Sequence, residues 1–192
     1  MDASDSPCAS VFSVSLNHLA LRPFSSQNLE SLVLDRIDSK DVGAEGFAGR
    51  FGPIASLVRN NRSSLVTLGL SARWSIPMAS VMIDSVQQNL FPKLKNLCLG
   101  FQHFATKTAV LHFFKDHAER LEYVFFCNVY IRDGSLWKSV IKEMRNLDFS
   151  RLQKFTLRNW DRKMFVELSP FIKGQTNEDE NPLTENPYFD QD

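Results

Sequence analysis

The sequence predicts an α/β fold, an irregular leucine-rich-repeat-like solenoid with parallel strands on a concave side and helices on a convex side. Three observations predict it. An apolar-x-x-apolar-x-apolar pattern recurs six times, fifteen of the 22 leucines fall in its slots, and the later intervals switch to helical spacing. In a strand, alternate residues face one side, so the last two apolar positions of each copy enter a core together. A helix between two strands is a crossover and makes them parallel. No single strand–helix unit buries both its apolar faces, so the units must stack. An open doubly wound α/β sheet is the alternative, but its strands read as continuous Val/Ile runs rather than as repeated slots.

The first copies, Leu16-Leu19-Leu21 and Leu29-Leu32-Leu34, start 13 residues apart, too close to hold a helix between them. Pro53 then opens a short helix with Ile54, Leu57 and Val58, ended near Asn60-Asn61. Leu65-Leu68-Leu70 is the third strand. Ser75 and Pro77 have the character of an N-cap and a first-turn proline for a helix carrying Met78, Val81, Met82, Ile83 and Val86. Leu94-Leu97-Leu99 follows, then a stripe of Val110, Leu111, Phe113, Phe114 and Ala118. After Leu121-Val124-Phe126, one helical face gathers Leu136, Trp137, Val140, Ile141, Met144 and Leu147, with Lys138, Lys142, Glu143 and Arg145 opposite. Leu152-Phe155-Leu157 closes the set. The last three start-to-start spacings are 29, 27 and 31 residues, close to the leucine-rich-repeat period of roughly 20–29.

The chain has 192 residues, 43% of them hydrophobic, with 22 basic and 22 acidic side chains. That composition excludes wholesale disorder, and no run of about 18 apolar residues suggests a membrane span. The N-terminus has no basic flank or apolar h-region, and Cys8, Cys98 and Cys127 are odd in number and widely spaced. Both features lead us to expect reduced thiols in the cytoplasm or nucleus. The neutral charge conceals a gradient. Beyond Gly174 there are six acids and no Lys or Arg, so residues 1–173 carry 22 basic against 16 acidic groups, a net +6. The expected organisation is a flexible N-terminus over 1–12, a solenoid domain over 13–173 and an acidic disordered tail over 174–192.

The blocks LESLVLDRI, LVTLGLSARW, FPKLKNLCLGFQHF, LEYVFFCNVYIRDGSLWKSVIKEM and LQKFTLRNW resemble the irregular leucine-rich-repeat region of fungal F-box-like proteins. The resemblance covers about residues 16–160. It implies a substrate-recognition array of the ubiquitin pathway. The N-terminal F-box of that family is not visible, because the first repeat-like strand begins near Leu16. Binding to the adaptor of a cullin-RING ligase is therefore not expected.

Residue chemistry for catalysis is sparse. His112 and His117 are five apart, about 140° around a helix, and do not share a face as paired ligands would. Cys98 and Cys127 fall two places out of register on neighbouring strands, which argues against a bridge between them. No nucleophile elbow, P-loop or dinucleotide fingerprint occurs, and Gly43, Gly46, Gly49 and Gly52 read as a flexible loop. We expect a non-enzymatic interaction scaffold without cofactor or metal.

Residues flanking the inward pair of each strand line the concave face in columns. One column is His18, Ser31, Thr67, Asn96, Tyr123, Lys154. The next is Ala20, Val33, Gly69, Cys98, Phe125, Thr156, and the third is Arg22, Asp35, Ser71, Gly100, Cys127, Arg158. The expected partner-binding residues are Tyr123, Phe125, Cys127, Lys154, Thr156 and Arg158. Two adjacent rings with cations on the next strand suit an acidic protein ligand bearing an exposed apolar side chain. Trp74, Phe104, Tyr130 and Trp160 are expected to pack beneath the turns. A second reading, nucleic-acid binding, rests on 132–173, where ten basic residues face five acidic ones. A third, a small uncharacterised enzyme, would require converging titratable groups that the repeat pattern does not reveal.

Overall fold

The computed structural model describes residues 28–37, 58–76, 91–159 and 162–184. The Leu16–Leu21 strand, the 1–12 segment, the glycine loop, the Met78–Val86 helix and residues 185–192 lie outside the described residues. Six strands form one sheet in sequence order, with no reversal. They are β1 (Ser31–Ile37), β2 (Thr67–Ile76), β3 (Asn96–Phe104), β4 (Tyr123–Ile131), β5 (Lys154–Asn159) and β6 (Met164–Glu167). The first five run parallel to one another. The fold is thus α/β with a mostly parallel sheet. Helices α1 (Lys107–His117), α2 (Trp137–Met144) and the single turn α3 (Ser169–Ile172) follow, and residues 58–61 are the described end of a further helix, where a short one ending near Asn60-Asn61 was expected.

The pairing register follows the repeat. Leu32, Leu68, Leu97, Val124 and Phe155 lie side by side across five strands, as do Leu34, Leu70, Leu99, Phe126 and Leu157. All ten are buried. The leading apolar residues Leu65, Leu94, Leu121 and Leu152 are buried as well. At the start of each strand one carbonyl accepts two N–H groups from the next strand. Glu30 O takes Val66 and Thr67, Val66 O takes Lys95 and Asn96, Lys95 O takes Glu122 and Tyr123, and Glu122 O takes Gln153 and Lys154. The leucine pattern and this bonding unit therefore share one period.

Both longer helices pack their apolar stripes on the same side of the sheet. Val110, Phe113 and Phe114 of α1 and Trp137, Val140, Ile141 and Met144 of α2 join the strand leucines in one core. Phe114 and Phe126 meet with centroids 6.1 Å apart, and Phe126 meets Phe155 edge-on at 5.4 Å. Burying such rings contributes roughly 1.5–3 kcal/mol each. Thr106 caps α1, its Oγ1 accepting from the Ala109 N–H at 3.1 Å. The Asp-Gly-Ser turn after β4 fastens the same helix start, because Asp133 accepts from the Lys107 N–H at 2.9 Å. That backbone donor, first among several, holds the Asp133 carboxyl below its usual range. Trp137 Nε1 donates to Val129 O at 2.7 Å, satisfying the indole in the core.

Two expectations need correction, and one strand is additional. Ser75 does not cap a helix, since β2 runs on to Ile76, which pairs with Gln102. The five described strands of the leucine pattern are parallel as expected, but a strand outside the pattern follows them: β6 turns back antiparallel against β5 after a short loop, too close for a crossover. The chain also remains packed well beyond residue 173. Gly174 (φ 69°) closes α3, donating to Phe171 O at 3.0 Å while Gln175 N donates to Pro170 O at 2.8 Å. This is the Schellman arrangement, in which a left-handed residue reverses the chain. Arg145 Nη1 then donates to Phe171 O and Thr176 O, and its guanidinium lies 4.7 Å over the Phe171 ring. Asn181 Nδ2 donates to Lys138 O at 3.0 Å, and Leu183 is buried. The acidic composition is genuine, but one leucine and one arginine suffice to tie residues 174–184 along α2.

Candidate interaction face

The sheet face turned away from the helices, here the far face, is set by strand alternation. Its columns are Ser31, Thr67, Asn96, Tyr123, Lys154; then Val33, Gly69, Cys98, Phe125, Thr156; then Ser71, Gly100, Cys127, Arg158. These match the expected columns except at Asp35, since the β1–β2 register shifts after Leu34 and Asp35 is not paired with Ser71; His18, Ala20 and Arg22 lie outside the described residues.

The relief across this face is uneven. Over β2 and β3 it is low, and side chains lean across glycines. A Cβ at Gly69 would come within 2.8 Å of Val33 Cγ2, and one at Gly100 within 2.8 Å of Ser71 Oγ. Asn96 Nδ2 donates to Thr67 Oγ1 at 2.9 Å and ties two neighbours of the first column. Over β4 and β5 the face rises into aromatic and cationic groups. Tyr123 and Phe125 are half-buried, Lys154 is exposed, and Arg158 is half-buried. The Tyr123 hydroxyl donates to Gln153 Oε1, which fixes the ring's outer edge.

The six expected contact residues are brought together, but they are not equally accessible. Cys127 and Thr156 are buried. Thr156 lies opposite Glu167 of β6, and its hydroxyl donates to Glu167 Oε2 at 3.3 Å. Glu167 is itself held by the Ser169 N–H and hydroxyl and by the Phe155 N–H. The accessible set is therefore Tyr123, Phe125, Lys154 and Arg158. Sequence reasoning missed Phe165. It pairs with Arg158 across the antiparallel β5–β6 ladder, so the two share a face, and it is 69% exposed. A four-residue strand outside the leucine pattern gave no signal for it.

The basic surplus of 132–173 does not form one stripe. Lys154 and Arg158 stand on the sheet, Lys138 and Lys142 on α2 across the core from it, and Arg145 and Lys173 engage backbone carbonyls.

Among the described residues no three His, Cys, Asp or Glu side chains gather as metal ligands would. Of the expected aromatic packers, Phe104 is buried and meets Trp137 edge-on at 6.2 Å. Tyr130 is half-buried, while the side chains of Trp74 and Trp160 lie outside the described residues. His117 is buried, its Nδ1 donating to Phe113 O at 2.6 Å while its Nε2 accepts from Phe91 N at 3.3 Å. It stacks on Phe113 at 4.4 Å and serves the core. Asn61 is likewise internal, its Oδ1 accepting from Leu29 N at 3.0 Å. One expectation about the cysteines is corrected. Cys127 keeps its thiol, but Cys98 is disulfide-bonded. The register argument bore only on a Cys98–Cys127 bridge, and those two residues are not register partners.

Among the described residues no helix is long and apolar enough to cross a membrane. No protein-family model, curated protein or solved structure matches the chain.

Proposed function

We propose that this chain is a non-enzymatic protein-interaction scaffold, a leucine-rich-repeat-like solenoid that receives an acidic protein partner on its far, concave face. The observation that carries the reading is the juxtaposition of Tyr123, Phe125 and the exposed Phe165 with Lys154 and Arg158 on adjoining strands. Large rings give apolar area at low rotamer cost, and neighbouring cations orient a carboxylate. Aromatic and arginine side chains also dominate interface hot spots. The solenoid description draws support from the unreversed strand order and from the repeated carbonyl unit at each strand start. A doubly wound sheet would reverse its order at a switch point. By its resemblance the array belongs with substrate-recognition regions of F-box-like proteins, working in cytoplasm or nucleus.

The test is affinity purification from the native organism with the wild-type chain and with the Tyr123→Ala, Phe125→Ala double variant. A directly bound acidic protein that loses about 2 kcal/mol or more of affinity for the variant supports the reading. Equal affinity, with the variant's fold intact by circular dichroism, moves the site elsewhere.

A further inference from the structure

β6 is the last strand of the sheet, and its pairing with β5 fixes which way its backbone groups point. Leu168 N donates to Phe155 O. Along an antiparallel strand the hydrogen-bonding direction alternates, so Val166 and Met164 turn their polar groups toward Leu157 and Asn159 of β5. Phe165 and Glu167 turn theirs outward, away from the sheet. The Phe165 side chain stands on the far face with its register partner Arg158 and is 69% exposed. Edge strands are commonly blunted by a lysine or a proline within the strand. β6 has neither, reading Met-Phe-Val-Glu. An exposed ring therefore stands on the strand that ends the sheet, beside outward-facing donors and acceptors.

We propose that β6 is covered by β6 of a second copy of this chain, the two strands running antiparallel about a two-fold axis perpendicular to the sheet. Identical strands related by such an axis are automatically antiparallel, so the edge is complementary to itself. The same axis sets far face beside far face. Opposed side chains of a ladder share one face, which leaves Phe165 facing either Phe165 or Glu167 of the second copy. Apolar and charged positions choose between these registers. With Phe165 opposite Phe165, the two exposed rings meet, their Cβ atoms about 5 Å apart. Lys163, exposed and just ahead of β6, then falls opposite Glu167 of the other copy on both sides of the axis. The alternative sets a carboxylate against each ring. In the favoured register the Phe165 N–H of each copy also meets the Phe165 carbonyl of the other.

Two six-stranded sheets become one continuous sheet. The contact is closed, because isologous pairing uses both edges and leaves none for a third copy. The row Cys127, Arg158, Phe165 is extended by the second copy's own ring, so each chain contributes to the other's candidate face. What the doubled face binds rests on the partner reading above, whereas the pairing itself does not.

The experiment uses the full chain alone. In sedimentation equilibrium the mass should rise from 21.9 kDa toward twice that value as concentration approaches about 100 µM. A mass fixed at 21.9 kDa over the range overturns the proposal. Phe165→Glu, with an unchanged circular dichroism spectrum, should weaken self-association about tenfold or more. Equal association would place the contact elsewhere and overturn the assigned edge. The register is read with Phe165→Cys and oxidised glutathione. Opposed residues of a hydrogen-bonded antiparallel pair have Cα atoms about 5.5 Å apart, within the roughly 4.4–6.8 Å that a disulfide spans. Tryptic digestion without reduction should then yield peptide 164–173 joined to itself. That link should form faster than the corresponding self-link of Lys154→Cys, which lies on β5 away from the axis. An equal or slower rate overturns the register. No external ligand enters any of these readouts, so failure here is separable from failure of the partner reading.

Discussion

Phe101 and Asn128 hold the same left-handed backbone conformation at the same point of neighbouring strands, with φ of 54° and 50°. Each sits one residue past the paired Gly100 and Cys127. The inserted turn changes which residues face the core. Leu97 and Leu99 point inward before it, yet Phe104 does so after it, an alternation that an uninterrupted strand forbids. Because β3 and β4 turn together, their pairing stays in step through Phe104 and Ile131.

At position 101 the backbone should therefore outweigh strand propensity. Phe101→Asn is expected to be more stable than Phe101→Val by about 1 kcal/mol, because β-branched residues disfavour positive φ. Urea denaturation of the two variants checks the order. A more stable Val variant would show that ordinary strand preference governs the site.

Gly134 offers a purer backbone test. Its φ is 76°, and an added Cβ would meet nothing within 4 Å. Gly134→Ala should destabilise the fold by about 1 kcal/mol through conformation alone. Thermal unfolding would read this, and an unchanged midpoint would refute it.

Leu97→Ala should cost about 2–5 kcal/mol, since a fully packed leucine leaves a cavity when truncated. Leu183→Ala should act differently although that leucine is equally buried. It anchors an end of the described chain, so its loss should free residues 174–184 before the sheet is affected. Hydrogen exchange would then accelerate at Gly174 and Gln175, while β3 and β4 amides stay protected. Uniform acceleration across the sheet would contradict this.

Stability should fall on mild acidification. Burial pushes the His117 ring below its usual pKa, and burial with the nearby Arg132 does the same to His103. Above the ordinary histidine range both states are neutral there, and the full stability is present. As pH falls from about 7 through the unfolded value near 6.5, the unfolded chain binds protons that the fold refuses, so stability declines. A denaturation series over this range tests the sign. His117→Gln should flatten the slope.

The strand register was legible in the sequence because burial on one face of a period-two element leaves only one phase available. Leu68 with Leu70, and Leu97 with Leu99, fix Thr67, Gly69, Asn96 and Cys98 to the other side without further information. Other features lacked such a signal. Met164–Glu167 forms its strand by pairing with β5, and its composition carries no leucine slots. Leu183 is a single apolar residue among acids, so its docking depends on Asn181 and Arg145 finding carbonyls far along the chain. Phe165 became part of the candidate face through β6, while Thr156 was withdrawn from it by Glu167. These are tertiary events that local periodicity does not encode.

The reversal at β6 also bears on self-assembly. A parallel array whose last strand kept the common direction would present a template on which another copy could add its own first strand, and repetition would grow a fibre. Here the outermost backbone beyond β5 runs the opposite way and is four residues long. Short, mismatched edges are poor seeds for such growth. Among the described residues that edge is therefore a poor template for adding the parallel first strand of another copy.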